Sequence, residues 1–226
     1  MLTARDLCKR HGAFWALRSV TMDIVGGTTT MLFGDNGAGK TTLVRLLASA
    51  ASPTGGSISW FGSAEPARAH IAMLSHADGH YDDLSAMEHL NMAESLLPRV
   101  GPGAPPRRSP AQLLDDVGLS ARSGSLVRTY SAGMRKRLAF ARLLQKNADL
   151  ILLDEPYSAL DPNGALLVDR LLGELHSLGR TVIVSTHQVE RTAKQADNAI
   201  HLSGGRVIWT GLASDAPARV VAAEPG

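Results

Sequence analysis

Apolar positions along the chain switch repeatedly between two spacings. Residues 19–25 (SVTMDIV) partly alternate apolar and polar, the period of a half-buried strand, and Gly26 and Gly27 then turn the chain. Residues 28–33 (TTTMLF) are β-branched and apolar, which predicts a strand ending at a glycine-rich loop. Residues 43–50 (LVRLLASA) have helical character without proline, a turn follows at 53–56, and 57–61 (SISWF) predict another strand. The middle differs: apolar residues at 84, 87, 90 and 97 have helical spacing. Residues 98–110 (PRVGPGAPPRRSP) then carry five prolines, two glycines and three arginines, which predicts an exposed loop between helices. A helix resumes over 111–117 and Gly118 caps it. The last third predicts a basic-then-apolar helix at 135–145, a strand at 149–153, an amphipathic helix at 164–178 and a buried-type strand at 181–185. Residues 199–202 and 206–209 read as a hairpin across Gly204 and Gly205, and the small, polar residues from Ala213 onward are expected to fray. Short apolar strands alternating with helices predict an α/β fold with a mostly parallel sheet and a helical insertion in its middle.

Composition narrows the class. With 226 residues and a domain size of roughly 150, the chain is one large domain or one domain with an insertion. Apolar residues make up 44% and charged residues 19%, so a disordered chain is excluded. The net charge of +2 and an aromatic share of 4% argue against a nucleic-acid partner. Cys8 is the single cysteine, so there is no disulfide framework and no cysteine-based metal site. No apolar run reaches the roughly 18 residues of a membrane span, and charges interrupt the N-terminal segment where a signal peptide would be apolar. The expected place is the cytoplasmic side, with no direct membrane insertion and any membrane role exerted through a partner.

Two motifs carry chemistry. Gly34, Asp35, Asn36, Gly37, Ala38, Gly39, Lys40 and Thr41 form a phosphate-binding loop between a predicted strand and a predicted helix. The glycines let backbone N–H groups turn around phosphate oxygens, Lys40 offers a point charge, and the Thr41 hydroxyl can ligate Mg²⁺. Residues 149–156 read DLILLDEP, an apolar strand that delivers Asp154 to the carboxyl edge of the sheet. There Asp154 is placed to hold Mg²⁺ through water, and Glu155 to polarise an attacking water.

At this point the chain resembles a known family. Residues 130–137 (YSAGMRKR) resemble the signature motif of ATP-binding cassette (ABC) transporter ATPases. Asp154-Glu155-Pro156, Ser158-Ala159-Leu160-Asp161 and Ser185-Thr186-His187 follow in the order of that family's Walker B, D-loop and switch histidine. The resemblance covers about residues 2–211. It implies one ABC-type nucleotide-binding domain over 1–226, with a catalytic core and antiparallel β subdomain at 1–75 and 146–212. A helical subdomain at 76–145 and a tail at 213–226 complete it. It also implies ATP contacts from residues 34–41, from Thr42 and, by stacking on adenine, from His11, with Phe14 or Trp15 as alternatives. Ser131, Ala132 and Gly133 would face the γ-phosphate bound to another subunit. The implied partners are a second copy of the chain and integral membrane transporter subunits. His187 would contact the γ-phosphate and hold Glu155 and water in line.

The chain departs from the family where a glutamine should touch Mg²⁺: none occurs between Ile71 and Leu90. Counting from the strand puts His76 there, and counting back from Asp82-Asp83-Leu84 puts Ala77 there. His76 is taken as the metal-side residue, because a neutral imidazole nitrogen can bind a metal or a water. His70, His76, His80 and His89 together make no known zinc pattern, and Arg99, Arg107 and Arg108 read as a solvated charge cluster. Within the family, the runs LSHADGHYDDL, DEPYSALDPNG and STHQ resemble ATP-binding subunits that power haem export in cytochrome c maturation. The ATPase of another exporter and a soluble ABC ATPase of iron–sulfur assembly are the alternatives.

Overall fold

The computed structural model describes residues 2–64, 68–75, 79–97 and 107–216. Strands β1 (Leu2–His11), β2 (Phe14–Ile24) and β4 (Gly55–Trp60) form a three-stranded antiparallel sheet in the order β2-β1-β4. The second sheet has six strands. β5 (Ile71–Leu74), β6 (Leu150–Asp154), β7 (Thr181–Ser185), β3 (Thr29–Phe33) and β8 (Asn198–Ser203) run parallel, and β9 (Arg206–Leu212) closes the edge antiparallel to β8. Every residue of β3, β6 and β7 is buried, as expected of parallel strands covered on both faces. Alternate residues serve different layers. Leu150 and Leu152 pack with helix α1 (Lys40–Leu47) and the antiparallel sheet. Ile151 and Leu153 pack with the helices on the opposite face.

Between β5 and β6 lie helices α2 (Ala86–Leu96), α3 (Pro110–Asp116) and α4 (Ala132–Gln145). Ser85 caps α2 in a reciprocal box with Glu88, and Ser109 does the same for α3 with Gln112. This corrects the loop expected through residue 110. Pro110 occupies the first helical turn, where the missing N–H costs nothing and the fixed φ suits the helix. The structure also corrects the solvated arginine cluster at Arg108. Arg108 is ion-paired with Asp116 at 2.8 Å and with Glu174 on helix α5 (Pro162–Ser177), stapling α3 to α5. Arg99 lies outside the described residues. The expected fraying from Ala213 does not hold for its first residues, since Ala213 and Ala216 are fully buried against Met31, Phe33 and Ala199.

Helix α2 buries a histidine. His89 is 1% exposed, accepts the Tyr81 N–H at 3.2 Å and stands edge-on to His80, with ring centroids 5.2 Å apart. Burial, then the Arg142 guanidinium and His80, hold its pKa down to about 4. In the unfolded chain the same imidazole titrates near its ordinary value of about 6.5. Above that pH both states are neutral and stability is unaffected. As pH falls from there toward about 4, only the unfolded state gains the proton, so stability drops, by at most about 3 kcal/mol. Urea midpoints at pH 7 and pH 5 should therefore fall further apart in the wild type than in His89→Gln. Equal differences would show that another group carries the acid sensitivity.

Candidate active site

The phosphate loop joins β3 to α1, and its glycines are required by close approach. A Cβ on Gly34 would overlap the Leu202 carbonyl oxygen, and one on Gly39 would lie 2.5 Å from the Ala16 carbonyl oxygen. Gly39 also has φ 105° as it opens α1, a conformation only glycine adopts without strain. Lys40 is 8% exposed and spans the loop, its Nζ donating to the carbonyls of Gly34 at 2.7 Å and Asp35 at 3.1 Å. This places an ammonium and the first N–H groups of α1 around one concavity, an anion site.

Strand β6 brings the acidic pair to the same edge. Asp154 is 2% exposed, and its Oδ1 accepts from Thr41 Oγ1 at 3.2 Å and Ser185 Oγ at 2.5 Å. The Thr41 hydroxyl and the Asp154 carboxylate are hard oxygen donors that meet across the loop, a set that fits Mg²⁺. Glu155 follows with φ 50°, a left-handed conformation costing a non-glycine residue about 1–3 kcal/mol. Hydrogen bonds hold it there: its N–H donates to the Ser185 carbonyl at 3.0 Å, and its carbonyl accepts from Ser158 Oγ at 2.9 Å and Lys136 Nζ at 3.3 Å. The turn aims its carboxylate at His187, whose Nδ1 lies 2.8 Å from Glu155 Oε2. A carboxylate on that nitrogen favours the tautomer with Nδ1–H and leaves Nε2 as an acceptor.

A cavity of about 500 Å³ opens over this edge. Asn36, Gly37, Gly39, Lys40, Thr41, Thr42, Asp154 and Glu155 line it, and His11, Phe14 and Ala16 form its other wall. His11 and Phe14 are opposite one another across the β1–β2 turn. Trp15 is not part of that wall and instead lies under the Arg10 guanidinium, 5.5 Å from its ring centroid. The signature residues are elsewhere. Ser131 caps α4 by accepting the Met134 N–H at 3.2 Å, Ser131 and Ala132 are exposed, and neither they nor Gly133 line the cavity. His76 and Ala77 lie outside the described residues.

Sequence reading overlooked Ser185 and Lys136. Ser185 is fully buried and touches both acidic neighbours, donating to Asp154 and accepting from the Glu155 N–H through Oγ at 3.2 Å. Its signal was a hydroxyl ending an otherwise apolar strand. Lys136 is 4% exposed, a cation in the middle of α4 with nothing in its local pattern to mark it as inward-facing.

Comparison with known proteins identifies the family of the chain. Residues 17–158 match the family described as ABC transporter. The cytochrome c biogenesis ATP-binding export protein CcmA of Xylella fastidiosa (strain Temecula1) is 39% identical over 190 residues, 82% of this chain and 86% of its own. The phosphonates import ATP-binding protein PhnC 1 of Natronomonas pharaonis is 35% identical over 216 residues, 92% of either chain. Among solved structures, the dimeric post-hydrolysis state of the ATP-binding cassette MJ0796 bound to ADP and phosphate superposes with a TM-score of 0.83. It shares 22% identity, over 94% of this chain and 99% of that one. With its phosphate loop, acidic strand end and histidine gathered at one edge of such a fold, the chain belongs to the ABC transporter family and is an ATP hydrolase.

Proposed function

We propose that this chain hydrolyses ATP in a head-to-tail dimer with its own copy and drives a membrane partner that exports haem for cytochrome c maturation. The observation that carries the dimer is the separation of the signature from the cavity. One chain supplies the phosphate loop, Asp154 and Glu155, while Ser131 and Ala132 stay exposed and neither they nor Gly133 line that cavity. The N–H groups opening α4 then suit a phosphate held by a second copy. The MJ0796 cassette, solved as a dimer with ADP and phosphate, supports the same reading.

In each site the triphosphate lies along residues 34–42, with His11 or Phe14 against the base. Glu155 takes a proton from water as its oxygen attacks the γ-phosphorus. The bond from that phosphorus to the β–γ bridging oxygen breaks, and ADP and phosphate leave. His187 keeps Glu155 and the water in line, and Lys40 meets the charge developing on the phosphate oxygens. Mg²⁺, held by Thr41 and Asp154, would neutralise phosphate charge. We assign residues 76–145 as the helical subdomain that faces the membrane subunit. No helix among the described residues is long and apolar enough to cross a membrane. A peripheral place on the cytoplasmic face belongs to the same proposal, and the likeness to ATP-binding subunits of transporters supports it.

Export of haem rests on the 39% identity to the cytochrome c biogenesis protein. A second reading, the ATPase of a different transporter, is favoured by the 35% identity to a phosphonate importer over a longer stretch. Deleting the gene in its host and staining membranes for covalently bound haem separates them. Loss of c-type cytochromes, restored by the wild-type chain and not by Glu155→Gln, is the expected result. Normal cytochromes would leave the ATPase standing and remove the haem assignment.

A further inference from the structure

Glu155 and His187 follow the ends of different strands, β6 and β7, yet their side chains meet at 2.8 Å. A network beyond them joins the two chain segments. Tyr157, just past Glu155, is 2% exposed, and its hydroxyl donates to Asp169 Oδ1 at 2.9 Å. Arg191, on the single-turn helix α6 (Val189–Thr192) that follows His187, grips the same carboxylate with both arms of its fork. Its Nε donates to Oδ1 at 3.1 Å and its Nη2 to Oδ2 at 2.5 Å. The guanidinium carbon also lies 5.3 Å from the Tyr157 ring centroid. Asp169 itself is held by α5, whose neighbouring Val168, Leu171 and Leu172 are in the core.

One turn of helix cannot hold its own direction, because nucleation costs more than so few hydrogen bonds return. The orientation of α6, and of the histidine that leads into it, must therefore come from outside contacts. A bidentate arginine–carboxylate pair constrains both distance and plane. We propose that Asp169, Arg191 and Tyr157 form a clamp that positions His187 against Glu155, with Asp169 holding the segment after the histidine to the segment after the glutamate. Burial and the Asp169 carboxylate push the Tyr157 phenol well above its ordinary range, so it remains a donor throughout the working pH. None of the three residues lines the nucleotide cavity, so they are positioning residues acting through His187. The proposal rests on the roles given above to Glu155 and His187.

The test is a double-mutant cycle on the full chain, read by steady-state phosphate release. Arg191→Met is the main variant, because the arginine is partly exposed and its loss leaves no hole in the core. Asp169→Asn is the second, since it keeps an acceptor for Tyr157 while removing the charge. Each should lower kcat by about tenfold, within the range of a small misplacement of a reacting group, and shift KM for ATP by less than about twofold. Arg191→Lys should recover part of that kcat. In a His187→Ala background the same substitutions should cost less than about twofold more, since nothing remains to be positioned. An equal tenfold loss in both backgrounds, or a raised KM with unchanged kcat, would overturn the clamp. Failure of the underlying reading is a separate result: His187→Ala alone would then turn over like the wild type, and the clamp would have no object.

Discussion

Glu155→Gln is expected to bind ATP with near wild-type affinity and to hydrolyse it about a thousandfold more slowly, within the 10²–10⁴ attributed to a positioned general base. Glutamine has the shape of glutamate and keeps a hydrogen bond to His187, but it cannot take a proton from water. The backbone around it should not move. Its left-handed turn is held through main-chain groups, by Ser185 on one side and by Ser158 and Lys136 on the other. Under the proposed shared-site mechanism, binding and turnover would thereby be uncoupled and the step that separates two copies blocked. Size-exclusion chromatography of the variant with MgATP should show a dimer that the wild type does not accumulate. A monomeric variant under those conditions would refute the shared site. Wild-type turnover would remove Glu155 from the chemistry.

Lys40→Ala should lower kcat/KM by about 10²–10³, the cost of removing one preorganised donor from a transition state. Lys40 is nearly buried and points into the loop, where it already bridges the Gly34 and Asp35 carbonyls. Its charge therefore acts in a site shielded from water, where an ammonium is worth more than on an exposed surface. Two effects add: weaker ATP binding, and loss of the contact that grows stronger as charge moves onto the phosphate oxygens. Lys40→Arg should not rescue it, because the planar fork does not fit where a compact point charge stood. Comparing ATP affinity with single-turnover rate separates the two parts. Turnover within about tenfold of wild type would mean that the loop backbone alone holds the phosphates.

The phosphate loop, the acidic strand end and the histidine were legible because each is a local signal. A glycine pattern, an apolar run ending in acid, and a polar residue after a β-branched strand all depend on neighbours along the chain. Strand β1 was harder to read. Arg5, Asp6, Lys9 and Arg10 break its alternation, register shifts interrupt its pairing with β2, and Asp6 takes φ 47°. Bulges carry the charges outward while Leu2, Ala4 and Leu7 stay buried, and no simple period describes that. Proline at the start of α3 misled for a related reason, since Pro110 reads as a breaker unless the cap formed by Ser109 and Gln112 is recognised.

By itself, then, the sequence carried the class of fold, most of the strands and helices, and the glycine loop and acidic strand end as candidate phosphate-site residues. Those follow from periodicity and from backbone chemistry that acts over a few residues. Only the tertiary structure decided which side chains meet across long stretches of chain. Ser185 reaches Asp154, Lys136 reaches the Glu155 carbonyl, Phe14 joins His11 at the cavity while Trp15 does not, and Asp169 ties Arg191 to Tyr157. Such contacts depend on sheet register and on how helices dock, both set by packing of the whole core, so no local pattern contains them.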